Sequence, residues 1–498
     1  MNHDFSKLYR PALAPLFAAL VLVGCATAPA VDPVAIAASP TAFKEAPAPG
    51  AQWTLATPAE ARDRGTWWKV FADPTLDALV EKASQHNTSI TEAAARLAQA
   101  QALLQNAQAD RAPQLGLAGG ATRQAGADST GSSRPATLVN ANVRLSYELD
   151  LFGRLARASD AAGLDAQARD ALLQSTRLLV QADVAQTYLS LRALDAERAL
   201  VRETLGAYQG TLTLTERRFR AGDVAELDLA RVQTEVAATK SEALALDRRR
   251  ATLEHALAVL VGEAASSFSL QSLDSPDWQA SLPTIPSGVP STVLTRRPDV
   301  AAAQSSLLAA QARVGVAQAA WFPDVSLTAA GGFASSSLSD VFKWSARAWG
   351  VGALLSLPIF DGGRREAGVK SASAQLDGAT AQYRGQVLNA LREVEDQLAA
   401  LRLLAQQTEA QDRAVASATR ATKLSDVRYR NGLVSQLDLL DARRSELRNR
   451  RQALDVRSNQ YQSTVLLIRA LGGGWDVAGE AKAVVAPQVV ATKAVAGG

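Results

Sequence analysis

Few residues in this 498-residue chain have the types and spacing to do chemistry. Cys25 is the single cysteine, so no disulfide can form within the chain and the thiol needs a use of its own. His3, His86 and His255 are far apart and have no cysteine beside them, so neither a metal site nor another cofactor is expected. Gly362 and Gly363 follow a candidate strand, but the rest of a nucleotide-binding glycine fingerprint and its acidic partner are missing. No nucleophile has a base in view, and the chain reads as a non-enzyme. One charged constellation is regularly spaced: Asp438, Asp441 and Arg444 stand three apart and share a helix face. In a cyclic assembly that face would recur around the axis. Crowded carboxylates would then favour cation entry and repel one another, and an Arg or Tyr contact would offset the repulsion. The plainer alternative for each is a solvated helix charge.

The N-terminus says where such residues would work. Lys7 and Arg10, an apolar run from Pro11 to Val23 and then Gly24 form an export signal over 1–24, too short in its apolar part to span a bilayer. Leu22-Val23-Gly24-Cys25 resembles the processing site of bacterial lipoproteins. That resemblance implies a covalent lipid (palmitate) on Cys25 and, with Ala26 where an Asp would signal inner-membrane retention, an outer-membrane address. Residues 25–60, rich in Ala and Pro, read as a periplasmic tether, and 475–498 as a flexible tail. The net charge of +3 comes from interspersed signs, with no basic block for nucleic acid. Hydrophobic residues make up 47% of the chain, yet no run after the signal reads as a membrane helix, so any crossing must use strands.

The elements that position these residues come in duplicate. Phe219, Arg220, Ala221, Gly222, Val224, Leu227, Asp228 and Leu229 match Tyr429, Arg430, Asn431, Gly432, Val434, Leu437, Asp438 and Leu439 at an offset of 210. The same offset carries Pro113 onto Pro323, Leu117 onto Leu327, Arg154 onto Arg364 and Gly262 onto Gly472. One offset kept over so long a stretch defines two structural repeats, 61–262 and 291–474, joined by a linker over 263–290. The predicted helices are about 74–111, 154–220 and 223–261, then 292–321, 364–430 and 433–471. The stretches after Arg154 and Arg364 run for more than 60 residues without proline and are filled with Ala, Leu, Gln, Arg and Glu. Each would be roughly 100 Å long, too long for a globular domain, so they must pack lengthwise as coiled coils. Leu172, Leu179, Val184, Leu191 and Leu194 are the expected seam.

Four strands are expected at about 113–123, 138–151, 323–334 and 346–359. Val139, Ala141, Val143, Leu145, Tyr147 and Leu149 alternate with polar residues, the pattern of a strand with one face to lipid and the other to water. Gly- and Ser-rich loops at 124–135 and 335–340 join each pair. Four strands cannot close a membrane barrel, so several chains are required; three would supply twelve strands.

At this point the chain resembles the outer-membrane factor (outer membrane efflux protein) family, in its lipoprotein branch serving RND-type tripartite efflux systems. Trp67, Trp68, Phe71, Asp73, Pro74 and Leu76 look like the family's opening motif. Arg296 to Val300, with Ala310, Ala312, Gly315, Ala317 and the Phe322-Pro323 pair, look like the opening of its second half. The resemblance implies a mixed α/β membrane protein: a homotrimeric TolC-like channel with a 12-stranded β-barrel, four strands per chain, and a long coiled-coil α-helical barrel. The implied partners are a periplasmic adaptor (membrane fusion) protein, an inner-membrane RND transporter and outer-membrane lipid. Tyr429, Asp438, Asp441 and Arg444 fall where the family carries its periplasmic gate, while Arg220, Gly222, Arg430, Gly432 and Val434 belong to helix-tip turns that touch the adaptor. A type I secretion channel is the alternative function, followed by a structural or adhesive trimeric envelope lipoprotein.

Overall fold

The computed structural model describes residues 66–125, 135–273 and 296–473, together with 31–33, 40, 42–45, 275–276, 278, 282–283 and 293–294. Cys25, the export signal and the tail 475–498 lie outside the described residues, as does most of the tether.

A 3-10 turn, Trp67–Phe71, leads into α1 (Pro74–His86) and α2 (Thr88–Ala109). Hairpin β1 (Gln114–Gln124) and β2 (Ala136–Leu149) follows, then α3 (Arg154–Arg220) and α4 (Glu226–Leu260). The second repeat runs α5 (Pro298–Ala319), β3 (Asp324–Ser335), β4 (Arg347–Ser356), α6 (Arg364–Arg430) and α7 (Gln436–Ala470). The long helices α3 and α6 have 67 residues each, and α4 and α7 have 35 each, so the 210-residue offset holds at both ends of both pairs.

One expected helix is two. Residues 74–111 break at Asn87, whose extended backbone ends α1 while its side chain caps α2 by accepting from the Ser89 and Ile90 amides. Asn87 also donates to the Leu260 carbonyl at 2.8 Å. The break lets Gly262, at φ +76°, pack where a Cβ would stand 2.4 Å from the His86 carbonyl oxygen. The opening motif is a cap of the same kind: Asp73 accepts from the Thr75 and Leu76 amides and from the Tyr188 hydroxyl, while Trp67, Trp68 and Phe71 are buried.

The helices form a layer beneath the sheet. Near the strands α3 lies between α2 and α5, and α5 packs on α6; nearer the tip α3 lies between α4 and α7, and α7 packs on α6. Of the expected seam, Val184, Leu191 and Leu194 are buried, but Leu172 and Leu179 are exposed. The apolar spacing locates the helix without assigning all its large side chains to contacts within one chain.

Two chain segments strap the helices at matching levels. In the first repeat the start of the linker lies across α3 and α4: Leu270 N–H meets Glu254 at 2.6 Å, and Arg192 donates to the Gln271 carbonyl at 2.8 Å. Beneath it the buried Asp195 carboxylate takes Arg198 at 3.0 Å and Arg250 at 2.8 Å. In the second repeat the N-terminal segment does this work. Phe43 is buried with Val293, Val394, Leu398, Leu467 and Leu471. The Lys44 and Glu45 amides donate to Glu395 at 2.7 and 2.9 Å, and Arg402, the repeat mate of Arg192, pairs with Glu45 at 2.7 Å.

Candidate functional site

Two features at opposite ends of α3 and α6 have functional geometry. The first is the sheet, antiparallel in the order β1-β2-β3-β4. Its register puts Leu117, Val143, Gly331 and Trp349 in one row, and Leu115, Leu145, Ala329 and Val351 in the next. Odd-numbered residues on all four strands therefore share a face, and through the middle of the sheet that face is apolar. Leu117, Trp349 and Val351 are 84%, 81% and 76% exposed, an arrangement with no place in water but suited to hydrocarbon. The even-numbered face carries Asn140, Asn142, Arg144, Ser146, Ser326 and Thr328 among many Gly and Ala. Both edges, β1 and β4, are open within the chain. Gly332 sits where a Cβ would fall 2.2 Å from the Ala141 carbonyl oxygen, so only glycine fits between β2 and β3 there. No helix among the described residues is long and apolar enough to cross a membrane.

The second feature is the tip, where α3 turns into α4 and α6 into α7. Both helices end in the same way. Gly222 (φ +81°) and Gly432 (φ +69°) take the left-handed conformation, with Asp223 N–H reaching back to Arg218 O and Leu433 N–H to Arg428 O. Arg220 and Arg430 close the helices just before these turns, and Val434 follows the second. Arg430 pairs with Asp426 at 2.8 Å.

The four expected gate residues are not one cluster. Asp438 completes a capping box with Ser435, accepting its amide at 2.9 Å and its hydroxyl at 2.7 Å, and these bonds hold the carboxyl below the usual carboxylate range. Asp441, largely exposed, meets Arg444 at 3.2 Å, and Arg444 also pairs with Glu235 on α4. Tyr429 is buried at the end of α6, with the Arg218 guanidinium of α3 over its ring at 5.4 Å from the centroid and 3.4 Å from its hydroxyl. Within one chain, then, Asp441 meets Arg444, Asp438 caps α7 and Tyr429 has a separate partner.

Sequence reasoning did not find Arg218, Glu235 or the contacts that tie α7 to α3. Gln436 donates to Thr215 at 3.2 Å, Arg443 to Thr211 at 2.7 Å, and Leu440 packs with Tyr208 and Val232. Burial pushes the Tyr208 phenol up to about 12. Its hydroxyl has no hydrogen-bond partner among the described residues. These contacts span some 200 residues, and neither spacing nor charge along the chain marks them. Ser435 followed three residues later by Asp438 was the readable signal for the cap.

Each helix end is held by contacts to a helix of the other repeat, so the tip can move only if cross-repeat bonds break. The sheet offers one apolar face and one polar face. Among the described residues no group of three or more His, Cys, Asp or Glu lies close enough to hold a metal ion.

Comparison with known proteins bears on both ends. The sequence pattern of the family described as "Outer membrane efflux protein" matches residues 79–263 and 289–473, one copy per repeat. The outer membrane protein OprJ of Pseudomonas aeruginosa is 34% identical over 471 residues, 93% of this chain and 96% of its own. The cation efflux system protein CusC of Escherichia coli is 30% identical over 464 residues, 93% of this chain and 99% of its own. Among solved structures, the outer membrane protein VceC of Vibrio cholerae superposes with a TM-score of 0.76 at 31% identity, covering 82% of this chain and 98% of VceC.

Proposed function

Since this chain belongs to the outer membrane efflux protein family and serves as an exit duct of the outer membrane, we propose that it forms the outer stage of a tripartite RND-type efflux pump. Three copies close a twelve-stranded barrel. An inner-membrane transporter and a periplasmic adaptor deliver cargo to the tip, and energy comes from the transporter.

The observation that carries this reading is the sheet. Backbone groups at an open edge in hydrocarbon cost several kcal/mol each, so a four-stranded sheet with an apolar face and two free edges demands more copies. The helix layer is open in the same sense, because α4 and α6 end its row on either side near the tip. Rotation about one axis closes both layers at once.

The tip is the gate in this reading. Asp441 and Arg444 on α7, braced by Glu235, and Tyr429 on α6, braced by Arg218, hold it shut; Gly222, Gly432, Arg220, Arg430 and Val434 present the turns to the adaptor. Cys25 carries the lipid that fixes the chain to the membrane. The native mass in mild detergent, with conductance in planar bilayers, tests the proposal. Three chains and a rise in conductance for Asp441→Ala are expected. A stable monomer would overturn the shared barrel.

A further inference from the structure

The even-numbered face of the sheet is not evenly polar. Along β2 it reads Asn140, Asn142, Arg144, Ser146 and Glu148, a continuous polar track. On β1 the same face offers mainly Gly116, Ala118 and Gly120, and on β4 Ala348, Gly350 and Gly352. The row through Arg144 is Gly116, Arg144, Ala330 and Gly350, so the guanidinium has no bulky neighbour on either side.

The charges on this face differ in their partners. Glu148 is held by Arg154 through both carboxylate oxygens at 2.6 and 2.8 Å, and Asp324 lies 3.9 Å from the same arginine. Arg144, exposed, bonds only the neutral Asn142 amide oxygen at 3.0 Å and has no ion pair among the described residues. Resting on the duct proposed above, we infer that Arg144 gives the membrane stage of the channel a preference for anions, and that anionic cargo passes along the β2 track. In a closed ring each copy places one guanidinium at the same height, and that ring attracts anions at its own level, while Glu148 and Asp324, which share one arginine, form the acidic level nearer the helices.

Screening sets the scale of the effect. At about 0.01 M salt the field reaches roughly 30 Å, across a barrel lumen; at about 1 M it reaches roughly 3 Å. The preference is therefore a low-salt property.

The test is the reversal potential of the full-length protein in planar bilayers under a KCl gradient. Wild type and Asp441→Ala are each compared with Arg144→Gln and Arg144→Glu, the Asp441→Ala background removing the acidic group at the tip. At about 0.01 M salt, Arg144→Glu is expected to lower the chloride-to-potassium permeability ratio by roughly twofold or more, with Arg144→Gln between, and the difference should vanish near 1 M. Asn142→Asp, which keeps the arginine and neutralises it, should act in the same direction. An unchanged ratio in Arg144→Glu and in Asn142→Asp overturns the inference while leaving the duct standing. Failure of every form to conduct overturns the duct and the inference together.

Discussion

Tyr429 and Tyr208 show how differently two buried phenols serve one tip. Tyr429 has a cation over its ring and links α6 to α3, so Arg218→Ala removes a cross-repeat bond without opening a core cavity. Such a contact is worth about 1 kcal/mol, and its loss should raise the open-to-closed ratio of the duct roughly fivefold, read as mean single-channel current. Tyr208 is buried with its hydroxyl unpartnered, so Tyr208→Phe should leave the melting temperature unchanged or raise it. Its folded-state pKa, up at about 12, lies above that of the unfolded chain near 10. The folded state therefore holds the proton more tightly; this stability is whole below about pH 10 and is lost as pH rises towards 12. A melting series across that window should fall less steeply in Tyr208→Phe than in wild type, and equal slopes would contradict the assignment. Asp195, enclosed by three arginines, is the opposite case: Asp195→Ala leaves the buried Arg192 without a carboxylate, while Arg198 and Arg250 keep Asp247 and Glu254, and should cost about 3 kcal/mol in thermal unfolding.

At the scale of elements, punctuation explains what could be read in advance. Arg154–Arg220 and Arg364–Arg430 were legible to the residue because Gly153, Gly222, Gly363 and Gly432, all at positive φ, bound proline-free runs rich in helix formers. The strands were legible to within a few residues because a face that meets hydrocarbon must alternate. The break at Asn87 was not, since that residue is decided by the Leu260 carbonyl and by Gly262, packed from far along the chain. The site was legible in part for a related reason. Asp441 and Arg444 lie within one turn of one helix, whereas Glu235 and Arg218 reach their partners across the repeat boundary. Glycines at turns and at close approaches should respond differently to substitution. Gly432→Ala forces a left-handed alanine into open space and should cost about 1–2 kcal/mol in unfolding. Gly332→Val meets the Ala141 backbone and should separate β2 from β3; loss of the three-chain native mass in mild detergent is the expected result, and its survival would refute that register.

For the whole molecule, the strap at Phe43 fixes a length. It docks against Val394 and Leu398, about 45 Å along α6 from the helix start at Arg364, beside the sheet. The same segment is seated again at Val31, which packs against the cluster of Val300, Leu307, Leu376 and Tyr383 between α5 and α6, so the 6 residues from Val31 back to Cys25 reach at most about 20 Å. With a lipid on Cys25, as proposed, the chain becomes a leash of at most about 20 Å beyond its docked part rather than a loose tail. Three such leashes around a ring would act as guy lines, resisting both tilt of the duct and its withdrawal from the bilayer when a pump pulls on the tip. Releasing both seats with Val31→Asp and Phe43→Ala together would lengthen every line at once, leaving the duct anchored but free to rock.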